Sequence, residues 1–318
     1  MATILSKEQL NLLENILTQA LDSYEVIPSI SEEEQQAKAN AELLQAYLSA
    51  KMIEGCSEKT IGYYQSTIDT LFVAVCKPVC DVTTNDIRNY LSGYQEQRKV
   101  SRVTIDNMRR IFSSFFAWLE DEDFIVKSPV RRIHRVRTES LVKEVLTDEN
   151  MEVLRDSCQE IRDIAMIDLL ASTGMRVGEL VNLNREDIDF HERQCVVFGK
   201  GNKEREVYFN ARTKIHLQNY LSSRTDDNPA LFVSLSNPHS RLSISGVEVR
   251  LRTLGRKVNI AKVHPHKFRR TLATMAIDKG MPIEQVQRLL GHVKIDTTLH
   301  YAMVNQNNVK MAHRKYIG

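Results

Sequence analysis

Positively charged and titratable side chains stand at several helix ends in the C-terminal half of this 318-residue chain. In ASTGMRVGELVNL, the turn STG ends one predicted helix and Arg176 begins the next. In HPHKFRRTLATMAIDKG, Pro265 suits the first turn of a helix, so His266 and Arg269 share one helix face. A histidine and an arginine presented side by side can hold one phosphate group. These residues are candidate phosphate ligands, although each alone could be an ordinary surface residue.

A histidine and a tyrosine follow in the next two predicted helical segments. Gly291 is predicted to end a helix, which places His292 directly after a helix C-terminus. Tyr301 lies in IDTTLHYAMV, on a segment that Asp296 or Thr297 could cap. A single histidine or tyrosine is more often structural than catalytic, so these two positions gain meaning only beside the others.

A predicted β-hairpin adds further basic residues. In DIDFHERQCVVFGKGNKEREVYFN, two apolar runs flank turn-forming glycine and asparagine residues. The pattern predicts an antiparallel hairpin with a basic cluster at its tip, formed by Lys200, Lys203 and Arg205.

The charge of the chain is unevenly distributed. Lys and Arg number 43 in total against 41 Asp and Glu, but residues 1–50 carry 2 basic and 8 acidic residues, and residues 251–318 carry 13 basic and 3 acidic. The basic end favours a polyanionic partner, the alternative being a solvated surface with a chance bias. The five cysteines are scattered, with only Cys76 and Cys80 close in sequence, which favours reduced thiols over a metal site.

Length and composition predict a two-domain globular protein. The chain is 42% hydrophobic and 26% charged, and no stretch approaches the roughly 18 uninterrupted apolar residues of a membrane helix. Its first residues, MATILSKEQLNLLENILTQALDSYE, carry acids where a signal peptide would be apolar. We expect a cytoplasmic protein with no membrane contact.

The elements that must position the reactive residues divide into two groups. The first 30 or so residues predict an appended helix, and the run SEEEQQAKANA predicts a loose connection. From Asn40 to Glu122 four helical segments follow, three of them with the N-caps Ser57, Thr83 and Ser101. The last segment carries an apolar stripe that predicts a core, composed of Ile105, Met108, Ile111, Phe112, Phe115 and Trp118.

A basic stretch separates this bundle from the second group. SPVRRIHRVRTESLVK lacks sustained periodicity and predicts an extended linker able to follow a phosphate backbone. Thr147 then caps the first helix of the second domain. The linker residues predicted to bind DNA are Arg131, Arg132, Arg135 and Arg137.

The segments TGMRVGEL, GKGNKER, HKFRRTLAT and LLGHVKIDTTLHY resemble the tyrosine recombinase, or phage integrase, family, especially its Xer-like and integrase branches. The resemblance extends from about Asn40 to Tyr301. It implies a mainly α fold that clamps DNA between a helical core-binding bundle and a mainly helical catalytic domain with a small antiparallel sheet. The domains implied are an extension at 1–39, the bundle at 40–130, the linker at 131–145 and the catalytic domain at 146–318.

The resemblance also implies roles for individual residues. Tyr301 matches the nucleophile, which would form a 3′-phosphotyrosyl bond and release a 5′-hydroxyl without ATP or metal. Glu179 would support the site without contacting the substrate. Lys203 and Arg205 would contact phosphates. The full catalytic set carried over by position is Arg176, Lys200, His266, Arg269, His292 and Tyr301.

The implied partner is double-stranded DNA with paired inverted-repeat core sites, held by four protomers in the synapse. The tail after Tyr301 would pack on the neighbouring protomer. The resemblance also allows for DNA-bending accessory proteins as further partners. Arg270 replaces the family's usual histidine at a non-catalytic position, and the acidic N-terminus does not resemble an arm-binding domain. Integration or excision of a mobile element and DNA inversion are the leading functions. Xer-type dimer resolution, a type IB topoisomerase and a non-catalytic DNA-binding protein are the alternatives.

Overall fold

A computed structural model describes residues 6–21, 32–137, 144–199 and 204–302. The chain divides into two compact units, residues 1–140 and residues 141–318. Within the described ranges, no helix is both long and apolar enough to cross a membrane.

The first unit is helical. The four helices predicted between Asn40 and Glu122 are confirmed, as is the helix near the N-terminus. Side chains of Ser57, Thr83 and Ser101 accept hydrogen bonds from backbone N–H groups in the first turns, as predicted. The helices are α1 (Lys7–Leu21), α2 (Glu32–Ile53), α3 (Glu58–Val75), α4 (Thr84–Arg98) and α5 (Arg102–Asp121).

The loose connection expected at SEEEQQAKANA is wrong, because α2 begins at Glu32 and takes up almost all of that run. Glutamate, glutamine, alanine and lysine are all good helix formers, and acids in a first turn suit the helix dipole. The domain boundary predicted after residue 39 therefore falls inside a helix, and the four-part division of the chain stays a prediction.

The core of the first unit forms around α5. Its predicted stripe is confirmed, with Phe112 and Phe115 inaccessible to solvent. The ring of Tyr47 meets that of Phe115 edge to face at 5.1 Å, and its hydroxyl lies 2.9 Å from the hydroxyl of Ser114. Burial raises the pKa of Tyr47 well above its ordinary value.

The start of the basic stretch is attached to this unit. Pro129–Arg132 form a 3-10 turn, and the carbonyl of Pro129 accepts a 2.7 Å hydrogen bond from the hydroxyl of Thr84. The backbone N–H of Val136 then donates to the carboxylate of Asp106 on α5. Residues 138–143 lie outside the described residues. The arginines up to position 137 are thus presented on the surface of the first unit.

The second unit combines eight described α-helices with one small sheet. Strands β1 (Ile188–Asp189), β2 (Gln194–Phe198) and β3 (Glu204–Tyr208) are antiparallel in the order β1-β2-β3. The predicted hairpin is confirmed, with Phe198 opposite Glu204 as the last described pair before its tip. The helices are α6 (Asp148–Asp156), α7 (Ile161–Thr173), α8 (Val177–Asn182), α9 (Ala211–Ser222), α10 (Ile244–Lys257), α11 (Pro265–Asp278), α12 (Ile283–Leu290) and α13 (Asp296–Ala302).

Helix α7 lies in the centre of this unit and packs against α9 and α11. Its carboxylates Asp163 and Asp168 are buried and paired. Arg250 on α10 donates to Asp163 at 2.5 Å, and Arg155 on α6 donates to Asp168 at 2.6 Å. A buried charge is tolerated only when it is paired. These two contacts therefore tie α7 to α10 and to α6. The end of α7 is the starting point of the candidate site.

Candidate active site

The turn between α7 and α8 positions Arg176. Gly174 caps the C-terminus of α7, and its φ of 59° favours glycine. A Cβ there would lie 2.7 Å from a methyl group of Leu272. Arg176 then caps α8, as predicted. Its backbone N–H and its Nη1 donate to the two oxygens of Glu179 at 2.7 and 2.8 Å.

Glu179 is a buried carboxylate held by two arginines. Its side chain is 3% exposed, and Arg205 on β3 donates to both oxygens at 2.6 Å. Burial alone would raise the pKa of Glu179, but the hydrogen bonds from Arg205 and Arg176 outweigh burial and hold the pKa below its ordinary value. Glu179 is therefore ionised at neutral pH and orients Arg176.

Arg269 is the most deeply buried of the predicted site residues whose side chains the structure describes. It lies on α11, which begins at Pro265 as predicted, and it is 2% exposed. Nη1 donates to the carbonyl of Gly174 at 2.8 Å, and Nη2 donates to the carbonyl of Leu290. Both acceptors are uncharged, so these bonds orient the guanidinium without cancelling its charge.

Three consecutive carbonyls at the end of α12 each accept a hydrogen bond from a different arginine. A helix C-terminus carries partial negative charge and unpaired carbonyls, so it suits cations. Side chains from the start of α8, from β3 and from α11 therefore converge on the end of α12. The pairs are Arg205 Nε with Leu289 O at 3.2 Å, Arg269 Nη2 with Leu290 O, and Arg176 Nη2 with Gly291 O at 3.1 Å.

Gly291 and His292 follow at the same helix end. Gly291 has a φ of 64°, and a Cβ there would lie 2.9 Å from Cδ of Arg205, so both conformation and space favour glycine. His292 is half-buried, with Nδ1 2.9 Å from the hydroxyl of Thr298. Burial and then the charges of Arg269, Arg176 and Arg205 lower the pKa of His292 to about 4.

The predicted residues Arg176, His266 and Arg269 line one cleft of about 470 Å³. His266 is exposed to solvent there. His264, which was not singled out from the sequence, lies on the rim of the same cleft, and burial followed by the charge of Arg270 lowers its pKa. Two arginines and two histidines thus line the cleft.

The structure leaves two predicted residues undescribed and describes only the backbone of a third. Lys200 and Lys203 lie outside the described residues, between β2 and β3. The backbone of Tyr301 belongs to α13, which packs against α11 and α12, but its side chain lies outside the described residues. The roles of all three stay predictions.

The remaining predicted DNA contacts differ in exposure. Arg205, expected on the basic hairpin tip, has a side chain only 12% exposed, and it bonds Glu179 and the end of α12. Arg131 is 67% exposed and lies 3.9 Å from Glu120. The other linker arginines, Arg132, Arg135 and Arg137, are exposed.

Two buried polar residues of this region carried no signal in the sequence. Lys267 is 4% exposed and donates to the carbonyl of Ala261 at 2.9 Å, which ties the loop before α11 to that helix. Thr298 is fully buried against His292. Among the residues that the structure describes, no three His, Cys, Asp or Glu side chains are grouped as a metal site would require.

Comparison with known proteins identifies the family. The phage integrase family model matches residues 144–308, and the model of the phage integrase N-terminal SAM-like domain matches residues 43–125. Tyrosine recombinase XerC of Staphylococcus aureus strain bovine RF122 / ET3-1 is 30% identical over 284 residues, which cover 85% of this chain and 94% of the relative. The chain belongs to the phage integrase family. It is a tyrosine recombinase, an enzyme of site-specific DNA recombination, as predicted from its motifs.

Another relative and two solved structures are also similar to this chain. XerC of Oceanobacillus iheyensis is 30% identical over 82% of this chain and 91% of its own length. The Tn1549 transposon integrase in complex with transposon right end DNA has a TM-score of 0.71 at 20% identity, covering 87% of this chain and 99% of that one. A λ integrase dimer bound to a COC′ core site has a TM-score of 0.67 at 18% identity, covering 93% of this chain and 86% of that one. The predicted fold class, mainly α with a small antiparallel sheet, is confirmed.

Proposed function

We propose that this recombinase cleaves DNA through Tyr301, with Arg176 and Arg269 clamping the scissile phosphate, and that it integrates or excises a mobile element or inverts DNA. The observation that carries the proposal is the shared anchoring of both arginines. Carbonyls of the adjacent residues Leu290 and Gly291 bind them beside one cleft.

This anchoring suits a phosphoryl-transfer site. Guanidinium is planar, permanently charged and able to donate two parallel hydrogen bonds to a phosphate. Charge grows on the non-bridging oxygens as the nucleophile attacks, so donors fixed in advance stabilise the transition state more than the substrate. Arg176 and Arg269 are fixed in advance by protein oxygens and would act without a metal ion.

The covalent step needs a nucleophile and a proton for the leaving group. The Tyr301 oxygen would attack phosphorus, forming the 3′-phosphotyrosyl bond as the bond to the 5′ oxygen breaks. His266 would take the tyrosine proton or orient the phosphate, and Lys200 would protonate the leaving 5′ oxygen. The new phosphodiester retains the bond energy, so a 5′-hydroxyl of another strand can reverse the step without ATP.

The DNA-binding surface would extend beyond the cleft. A second cleft of about 540 Å³ adjoins the first, since both are lined by Glu248 and His264, and it adds the exposed cations Arg252, Arg256 and Lys262. Such cations would neutralise DNA phosphates and release counterions. Exposed linker arginines would add contacts from the first unit.

The proposed partner is double-stranded DNA with paired inverted-repeat core sites, bound by a tetramer in the synapse. Among the structural neighbours, λ integrase is a dimer on a core site, and XerH is bound to a palindromic difH substrate. We extend this symmetry to the present chain. We also propose the cytoplasmic location expected from the sequence.

Xer-type resolution of chromosome dimers is the second candidate. Its support is the 30% identity to XerC over 85% of this chain. The two candidates share all the chemistry above and differ in the DNA sites used.

Covalent capture tests both. The protein and a Tyr301→Phe control would be expressed in cells that carry its native genome, and DNA trapped on the denatured protein would be sequenced. We expect adducts at paired inverted repeats only with the wild-type protein. Sites at the ends of a mobile or invertible segment support the first candidate, and a single chromosomal site supports the second. DNA binding without any Tyr301-dependent adduct would refute the proposed cleavage.

A further inference from the structure

Thr298 is a buried threonine in contact with a candidate catalytic histidine. Its side chain is inaccessible to solvent, and its Oγ1 lies 2.9 Å from Nδ1 of His292. The two residues belong to different elements, because His292 follows α12 whereas Thr298 lies on α13, three residues before Tyr301. The contact therefore joins the histidine to the helix that carries the proposed nucleophile.

The protonation state of His292 limits what it can do at a phosphate. With a pKa lowered to about 4, its imidazole is neutral at pH 7. A neutral imidazole carries one N–H donor and one bare nitrogen acceptor. The non-bridging phosphate oxygens of DNA only accept hydrogen bonds, so His292 can bind one only through the nitrogen that carries the proton.

The threonine hydroxyl can select that nitrogen. Nδ1 is engaged by Thr298, so the contact with a phosphate oxygen falls to Nε2. An Nε2–H tautomer requires Nδ1 to accept a hydrogen bond, and a hydroxyl can donate one. We propose that Thr298 is a positioning residue, whose hydroxyl donates to Nδ1 of His292 and so holds the donor proton on Nε2, the nitrogen that would then contact the scissile phosphate.

The proposal deepens the proposed function and rests on it for the phosphate contact. It also gives α13 a second task. Thr298 and Tyr301 share one seven-residue helix, so the packing that places the backbone of the nucleophile also sets the tautomer of the histidine. Displacement of α13 would then remove the nucleophile and the phosphate donor together.

Three variants separate this role from a merely structural one. Thr298→Val keeps the shape of the side chain and removes the hydroxyl, whereas Thr298→Ser keeps the hydroxyl. Thr297→Val is the matched control, because Thr297 is the exposed neighbour on the same helix. Melting temperatures of all three show whether each is folded.

The first measurement is the tautomer itself. Nitrogen-15 NMR of His292 would be recorded at pH 7 on the full chain with inorganic phosphate as the probe. We expect the Nε2–H form in the wild type, Thr298→Ser and Thr297→Val, and its loss in Thr298→Val. A wild-type Nδ1–H form, or a Thr298→Val spectrum with an unchanged tautomer, would overturn the proposal.

The second measurement is single-turnover cleavage of a nicked duplex that carries a site recovered by covalent capture. An unpaired buried acceptor predicts a loss of about tenfold to a hundredfold in Thr298→Val. Thr298→Ser should stay within about threefold of the wild type, and Thr297→Val should match it. Equal losses in the Val and Ser variants, or no loss in either, would contradict the positioning role. If the wild-type protein forms no adduct at all, the proposed function fails, while the NMR result still decides the tautomer.

Discussion

Replacing Arg205 with methionine should weaken the support behind Arg176. Arg205 donates two 2.6 Å hydrogen bonds to Glu179 and one to the carbonyl of Leu289. Methionine preserves most of the apolar stem but removes the charge and every donor. Among the described residues, Glu179, with a side chain 3% exposed, would then keep only its bonds to Arg176.

The size of the effect follows from this burial. Removing one partner of a buried ion pair costs about 3–5 kcal/mol. A domain of 150–250 residues loses roughly 2–4 °C of melting temperature per kcal/mol, so the unit carrying Arg205 should melt roughly 6–20 °C lower. The pKa of Glu179 should rise, because the bond from Arg205 no longer opposes burial. If Arg176 then loses its fixed orientation, the site loses one preorganised donor, and cleavage should be slower by about a hundredfold.

A double-mutant cycle with Glu179→Gln measures the coupling. If Arg205 acts through Glu179, the double variant should be little worse than the worse single variant, leaving a coupling of about 1–3 kcal/mol. Additive losses would show that the two residues act independently.

The salt dependence of DNA binding distinguishes this role from a phosphate contact. A lysine or arginine on a phosphate contributes about 1 to the slope of log affinity against log salt. Arg205→Met should leave the slope unchanged, whereas the same substitution at the exposed Arg252 should lower it by about 1. A stable Arg205→Met protein with a reduced slope would refute the positioning argument and restore the phosphate contact predicted from the sequence.

Three further outcomes are expected. Gly291→Ala should destabilise the protein more than Gly280→Ala does, because both have positive φ but only at Gly291 would the Cβ meet another side chain, that of Arg205; equal melting temperatures would contradict this. Arg269→Lys should slow cleavage by about a hundredfold, because an ammonium cannot donate to two carbonyls and a phosphate in one plane. Full activity in single-turnover assays would show that charge alone suffices. Stability should fall as the pH drops from about 6.5 towards 4, because His292 binds a proton in the unfolded chain but stays neutral in the native protein. His292→Gln should flatten the dependence of the melting temperature on pH between pH 7 and 5. An unchanged profile would argue against the lowered pKa of His292.

Features that depend on neighbouring residues in the chain could be predicted from the sequence. The caps Ser57, Thr83 and Ser101 each bond a backbone N–H three residues away, so a few letters determine them. The apolar stripe of α5 follows from helical periodicity, and the hairpin follows from two apolar runs around glycine. The motifs also identified Arg176 and Arg269 as candidates, because their segments resemble those of known recombinases.

The acidic run at the start of α2 shows where local reasoning fails. The run is acidic and predicts a loose connection, yet it consists of helix formers and forms the first turns of a helix that packs into the core of the first unit. Tertiary packing of the later turns stabilises the helix. Extending an existing helix by its first turns then costs little further free energy.

The organisation of the site was decided only by the tertiary structure. Arg205 meets the carbonyl of Leu289 across 84 residues, and Arg176 meets that of Gly291 across 115. No pattern within a segment specifies which guanidinium bonds which carbonyl, because those contacts exist only once α8, β3 and α11 pack against the end of α12. The sequence by itself determined the helices, the hairpin and the residue types available for chemistry. Packing determined their partners, because a buried arginine must find its acceptors wherever the fold brings unpaired oxygens close.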